Sequence, residues 1–276
     1  MKIIDFDEKF FEFTQAWMRA HPNATVKQVE NRYNDLMDEW VNTPADWLDG
    51  STPDAYFERY ETAEELIGLM RAYHKANISL PEPLYAQIAC SMDVCKSPLL
   101  DILRDESEDE ELRAEAVSLL GFNGAIDVAD TLFDLVVKAE ESNEVSEIAV
   151  NGLMECCAND SDILKRLLKA YPNASDYAQG LILEIACNFP GDDRIYTYLM
   201  KRLKNKPDER ALNASLLAKL GDARAIPELK KMLGYFDLRY LDYIEIRNAV
   251  EELGGDAGKE RAFYGDPDYE ALRNLE

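Results

Sequence analysis

The ten residues Leu220–Leu229, LGDARAIPEL, partly recur a hundred positions earlier as Leu120–Asp127, LGFNGAID. In both stretches three residues separate a leucine-glycine pair from an alanine-isoleucine pair. A hundred residues is about three units of a helix-turn-helix repeat of roughly 30–36 residues. Such self-similarity is typical of a solenoid, in which each helix pair buries its apolar face only against its neighbours. The sequence therefore predicts an all-α fold that works by presenting a surface.

Two weaker copies lie between these stretches. Phe189–Leu199, FPGDDRIYTYL, keeps a glycine, an aspartate and an arginine in register with LGDARAIPEL, whereas Leu153–Leu167, LMECCANDSDILKRL, has asparagine-aspartate at the turn. We predict helix pairs over residues 82–104, 110–139, 144–171, 175–204 and 208–234, and a degenerate last unit over 239–274.

The longer stretch Leu220–Leu233, LGDARAIPELKKML, resembles the HEAT-like repeat of the phycobilisome-lyase type. It has that repeat's leucine-glycine-aspartate turn, its arginine-alanine helix start and its isoleucine-proline second helix. The full match covers this unit, and the other units match partially. The resemblance implies a right-handed α-α superhelix, a HEAT-like or armadillo-type solenoid. Lyases, DNA-repair proteins, hydroxylases and plain scaffolds all use such repeats, so the resemblance indicates a fold more than an activity.

The first 80 or so residues differ from the repeats, because they contain all three tryptophans and many other aromatic residues. We predict helices near residues 6–20, 25–41, 52–60 and 62–77 there. Phe10, Phe13 and Trp17 fall on one helix face, as core residues do. We therefore interpret residues 1–80 as a divergent helical N-terminal cap on a solenoid formed by residues 81–276. An aromatic binding platform is the alternative.

The composition describes an acidic chain, with 54 Asp and Glu against 30 Lys and Arg and a net charge of −24. Such a balance disfavours nucleic-acid binding, since phosphate contacts require basic side chains. No segment approaches the ~20 apolar residues of a membrane span, and the start MKIIDFDEKF lacks the pattern of a signal peptide. The odd number of cysteines, five, and their apolar surroundings predict free thiols and a cytoplasmic protein.

The residues of common active sites are scarce. The chain has two histidines, and neither His21 nor His74 is followed by the glutamate of the di-iron hydroxylases that share HEAT-like repeats. The cysteines lack C-x-x-C spacing, and the adjacent Cys156 and Cys157 point about 100° apart on a helix. No phosphate-binding loop or nucleophile elbow is present. We therefore expect no catalytic residue, no metal and no cofactor.

The run Asp105–Glu115, DESEDEELRAE, concentrates seven acids around one arginine. Negative charge favours the start of a helix, so the run fits a solvated turn that leads into a repeat. The alternative is a binding site for a basic partner, or mimicry of a nucleic-acid backbone.

Residues 160–234 have the opposite charge balance, because 13 basic residues outnumber 10 acidic ones there. Pairs of adjacent basic residues recur within this segment. We place the dipeptides Lys165-Arg166, Lys201-Arg202 and Lys230-Lys231 at one position of the second helix in three successive repeats. Second helices line the concave face of HEAT stacks, so these pairs predict a basic partner-binding surface, unless they only reflect the preference of cations for helix C-termini. The basic stripe, as we name it, consists of Lys165, Arg166, Lys169, Lys201, Arg202, Lys204, Lys230 and Lys231, and Lys206 extends it.

These observations predict a non-enzymatic cytoplasmic interaction scaffold or adaptor of bacterial type, which binds a protein or an acidic peptide on its concave face. An accessory subunit that presents a substrate protein to a lyase or another modifying enzyme is the alternative. Binding of a nucleic acid through the basic stripe is a third expectation.

Overall fold

The structure is a computed structural model that describes residues 3–22, 25–121 and 128–273, without the side chains of Val26, Val29 and Asn159. All regular secondary structure in these residues is helical, which confirms the all-α prediction. Internal contacts divide the chain into two units, Met1–Ala125 and Ile126–Glu276. The boundary near residue 80 stays a prediction. No helix in the described residues has the length and apolar character needed to cross a membrane.

Seven α-helices form the described portion of the first unit. They are α1 (Phe6–Ala20), α2 (Val26–Asn31), α3 (Tyr33–Val41), α4 (Ala63–Ala76), α5 (Glu82–Cys90), α6 (Met92–Arg104) and α7 (Glu110–Gly121). The helix predicted over residues 25–41 is two helices, because the chain turns at Arg32. The segment predicted as a helix over 52–60 is a 3₁₀ helix, Asp54–Arg59, a form that suits short connectors.

An aromatic core holds the start of the first unit together. The Phe6 ring lies 5.6 Å from Trp47 and 5.4 Å from Phe57, measured between ring centroids. Phe10 lies 5.3 Å from Trp40. Phe6, Phe10, Trp40 and Phe57 are buried, and burying each such ring stabilises the fold by roughly 1.5–3 kcal/mol. These aromatic residues therefore form a core, whereas the role of the segment as a solenoid cap stays a prediction.

Nine α-helices form the described portion of the second unit. They are α8 (Ala129–Val137), α9 (Glu144–Asn159), α10 (Ser161–Ala170), α11 (Asp176–Ala186), α12 (Asp193–Asn205), α13 (Arg210–Leu220), α14 (Ile226–Met232), α15 (Tyr240–Glu252) and α16 (Pro267–Arg273). Helices close in sequence pack together, as α8 on α9, α12 on α13 and α13 on α15 do. This pattern is the one that a solenoid requires, and the right-handed superhelix stays a prediction.

The stretch LGDARAIPEL forms the turn that its residues predict. Gly221 ends α13 with φ +75°, in the left-handed region that glycine adopts without strain. The Asp222 carboxylate accepts a hydrogen bond from the Arg224 backbone N–H at 3.0 Å and so caps the next helix. Pro227 lies in the first turn of α14, and Leu229 is fully buried. In the copy at Leu120–Asp127, the residues from Phe122 onward lie outside the described residues.

Candidate functional site

Three capping aspartates define the register of the second helices in the second unit. The carboxylates of Asp160, Asp192 and Asp222 each accept a hydrogen bond from the backbone N–H two residues later, at 2.9, 3.0 and 3.0 Å respectively. A buried apolar residue follows seven residues after each aspartate: Leu167, Leu199 and Leu229. The caps and the buried residues therefore agree on which positions are equivalent.

This register corrects the alignment of the basic stripe. Lys169, Lys201 and Lys231 each lie nine residues after their capping aspartate. Lys165 and Arg166 lie one helical turn earlier relative to their capping aspartate. The unit that contains them lacks the turn glycine, and its basic dipeptide matches the other two in composition alone. The three basic dipeptides thus do not occupy one repeat position.

Nearby acids compensate much of the charge of the basic stripe. Lys165 pairs with Asp162 at 2.6 Å, and Arg166 pairs with Asp130 at 2.7 Å. Lys204 and Lys231 both approach Glu228, at 3.8 and 3.5 Å. Lys206 pairs with Asp176 at 2.7 Å. The stripe residues without an ion pair to any described residue are Lys169, Lys201 and Lys230, and all three are exposed.

Arg202 differs from the rest of the stripe because its side chain is buried. Its Nη1 donates to the Asp176 backbone carbonyl and to Asp176 Oδ1, both at 3.1 Å, and its Nη2 donates to Glu209 Oε2 at 2.6 Å. These bonds join α12 to the start of α11 and to the 3₁₀ helix Pro207–Glu209 that precedes α13. Arg202 is 7% exposed, so it is a structural residue rather than a member of a free basic surface.

Arg202 also lines a cleft of about 580 Å³ that α11 and α13 border. Its apolar lining consists of Tyr177, Leu181, Leu212 and Leu216. Gly180 contributes no side chain, and a Cβ built there would lie 3.8 Å from Arg202 Nη2. A Cβ at this position would therefore only reach ordinary van der Waals contact with the arginine, on the side of α11 that lines the cleft. We call this feature the α11–α13 cleft.

Five carboxylates surround the α11–α13 cleft: Glu140, Glu147, Asp176, Glu184 and Glu209. Asp176 and Glu209 pair with Arg202, and the Lys206 ammonium and Arg202 lower the pKa of Asp176. Glu147 accepts hydrogen bonds from the Ser142 and Tyr177 hydroxyls. No cation of the described chain pairs with Glu140, Glu147 or Glu184. The cleft therefore keeps negative charge that its own residues do not neutralise.

Exposed apolar side chains continue from the cleft along the first turns of neighbouring helices. Leu212 in α13 is 53% exposed, and Leu241 in α15 is 50% exposed. Arg210, which begins α13, pairs at 3.1 Å with Asp237 just before α15, so the two helices start at the same end. Phe236, next to that contact, is 97% exposed. Of these three apolar side chains, Leu212 lines the cleft, whereas Phe236 precedes α15 and Leu241 lies in its first turn.

Comparison with models of known protein families, with characterised proteins and with solved structures finds no match. The resemblance to HEAT-like repeats therefore rests on the turn motif. What the fold and the site define is a class, an all-α protein of consecutive helix pairs with an acidic, partly apolar cleft.

Sequence reasoning missed this cleft. Its signal was faint: a glycine inside a helix where the neighbouring positions are apolar. An isolated helical glycine costs about 1 kcal/mol relative to alanine, which makes the position unusual but does not by itself identify a cleft.

Proposed function

We propose that this protein is a non-enzymatic interaction scaffold, and that its α11–α13 cleft binds a cationic, amphipathic segment of a partner protein. The observation that carries the proposal is that apolar side chains and three carboxylates line the same cleft. None of these carboxylates, Glu140, Glu147 and Glu184, has a cationic partner among the described residues. A helix or strand with apolar residues on one face and lysine or arginine at its edges complements both features.

The sign of the partner's charge differs from the one that the sequence predicts. The basic stripe points to an acidic partner, but among its residues only Lys169, Lys201 and Lys230 lack an ion pair to a described residue, and none of the three lines the α11–α13 cleft. The cleft combines shape with charge, so it supports a cationic partner better.

The cysteines support a role without nucleophilic catalysis. Cys95, Cys156, Cys157 and Cys187 are buried free thiols. Burial raises the pKa of Cys157 to about 12 and that of Cys187 to about 11, which disfavours the reactive thiolate. Free thiols of this kind also suit a reducing compartment, so we propose that the protein is cytoplasmic.

The proposal is tested with two synthetic amphipathic peptides, one built from lysine and leucine and one from glutamate and leucine. We expect the full chain to bind the lysine peptide in a fluorescence-anisotropy titration. Reversing the charge of Glu140, Glu147 and Glu184 to lysine should weaken that binding at least tenfold, which corresponds to about 1.4 kcal/mol.

A matched variant controls for net charge. Reversal of Glu30, Glu39 and Glu58, which are exposed residues of the first unit, changes the net charge equally. It should leave the affinity within about twofold of the original chain, because none of the three residues lines the cleft. Equal losses in both variants, or preferential binding of the glutamate peptide, would refute the cleft as the docking site.

A further inference from the structure

Three potential metal ligands meet where α4 ends and α7 begins, in the first unit. His74 lies in the last turn of α4, Asp109 precedes α7, and Glu111 lies in its first turn. The two helices pack together, and Arg71 on α4 pairs with Glu108 at 2.6 Å. The cluster thus joins residues 35 or more positions apart through a contact that the fold already fixes.

The position of the ligand atoms fits a small cation. His74 Nε2 lies 3.3 Å from Asp109 Oδ1, and one atom from each of the three side chains lies within 4.8 Å of the others. Ligands ~2.0–2.1 Å from a tetrahedral ion are separated by roughly 3.3 Å. The histidine and the aspartate already have that separation. Glu111 is exposed, so rotation of its side chain can supply the remaining ångström or so.

The Asp109 carboxylate is held in place, because its Oδ1 accepts the Glu111 backbone N–H at 3.0 Å. A cavity of about 310 Å³ adjoins the cluster and is lined by His74 and Glu111 together with Asn77, Ser79 and Glu115. It has room for one or more water molecules, the usual further ligands of a three-residue site. A held ligand, a movable ligand and a cavity with room for water thus occur together.

We propose that His74, Asp109 and Glu111 form a binding site for a divalent transition-metal cation, with zinc as the ion that they suit best. One imidazole nitrogen with two carboxylate oxygens suits zinc and its first-row neighbours, whereas calcium and magnesium prefer oxygen alone. The bound ion links the end of α4 to the start of α7 and neutralises some of the charge of the acidic run Asp105–Glu115.

Because the chain contains only two histidines, nuclear magnetic resonance tests the site directly. The chelator-treated full chain receives one equivalent of Co²⁺, a paramagnetic ion that replaces zinc. We expect the imidazole signals of His74 to shift or broaden strongly while those of His21 stay unchanged, and added Zn²⁺ should reverse the effect. Equal changes in both histidines, or none in His74, would overturn the proposal.

Calorimetric titration with Zn²⁺ under reducing conditions provides the second arm. Glu111→Gln and Asp109→Asn should each weaken binding at least tenfold, and asparagine still caps α7. The control Glu106→Gln removes a charge from the same acidic run without touching the cluster, and it should bind Zn²⁺ like the original chain. Similar affinity in all four proteins would assign the binding to diffuse negative charge and reject the site.

Discussion

Replacement of Arg202 by alanine should destabilise the second unit by about 3 kcal/mol. The change removes three hydrogen bonds of a buried guanidinium, two to Asp176 and one to Glu209. Each bond to a charged group contributes roughly 1.5–3 kcal/mol. We take less than the sum of about 4.5–9 kcal/mol, because Asp176 remains 55% exposed and Glu209 31% exposed and both can rehydrate.

Thermal and urea unfolding of the full chain, followed by circular dichroism, measure this effect. For a domain of this size, 3 kcal/mol corresponds to a fall in the midpoint of about 6–12 °C. Arg202→Lys keeps the charge but loses the planar fork, so we expect about half the loss. A double-mutant cycle with Glu209→Gln should give a coupling energy of at least about 1 kcal/mol.

Lys201→Ala is the matched control, since Lys201 is the preceding residue, exposed and without an ion pair among the described residues. Its effect should stay within ~0.5 kcal/mol. If Arg202→Ala lowered the free energy of unfolding as little as Lys201→Ala does, Arg202 would not be a structural residue. It would then count again as a member of the basic stripe.

Five further outcomes follow from local features, each measured by unfolding or by thiol titration. Gly68→Ala in α4 should stabilise the protein by ~0.5–1 kcal/mol, because nothing lies within 4 Å of the new methyl group. Gly221→Ala should destabilise it by ~1 kcal/mol, because the φ angle of Gly221 is +75°. Changes of the same sign in the free energy of unfolding would contradict this reasoning. Thr62→Ala removes a capping box and should cost ~1 kcal/mol. Cys90 alone should react rapidly with a thiol reagent in the folded protein, since it is exposed and the other four cysteines are buried; a second fast thiol would refute that burial. The Arg224 guanidinium lowers the pKa of Asp222 in the folded protein. The ion pair therefore stabilises the fold fully above the pKa of ~3.8 in the unfolded chain, and this stabilisation is lost as the pH falls through the lower pKa of the folded protein. Asp222→Asn should therefore lower the free energy of unfolding by ~1 kcal/mol at pH 7 and by little near pH 2.

Local chemistry made some of the fold predictable. Gly221, Asp222 and Pro227 act within a few residues of themselves, as a stop, a cap and a first-turn residue, so the sequence alone indicates their roles. The same holds for Asp266, whose carboxylate accepts the backbone N–H groups of residues 268 and 269 at the start of α16.

The sites depend on distant residues, so the sequence could not reveal them. Arg202 reads as half of a surface dipeptide until its bond to Asp176, 26 positions away, is known. His74 has no ligand-like neighbour in sequence, and Glu111 reaches it only because α4 packs on α7. The register of the basic stripe required the capping hydrogen bonds, since a pair of basic residues recurs too easily to identify a repeat position.

The spacing of the capping aspartates has a consequence for chain length. Asp160, Asp192 and Asp222 are 32 and 30 residues apart, and the Arg224 guanidinium reaches back to Asp193 at 2.6 Å. The turn at Asp222 thus carries both its own cap and its connection to the preceding turn. Duplicating residues 192–221 in tandem would add a unit that has both features. The lengthened protein would also have a second copy of α13, the helix that borders the cleft. Growth and shrinkage by whole units, rather than by point substitution, is a route open to this architecture.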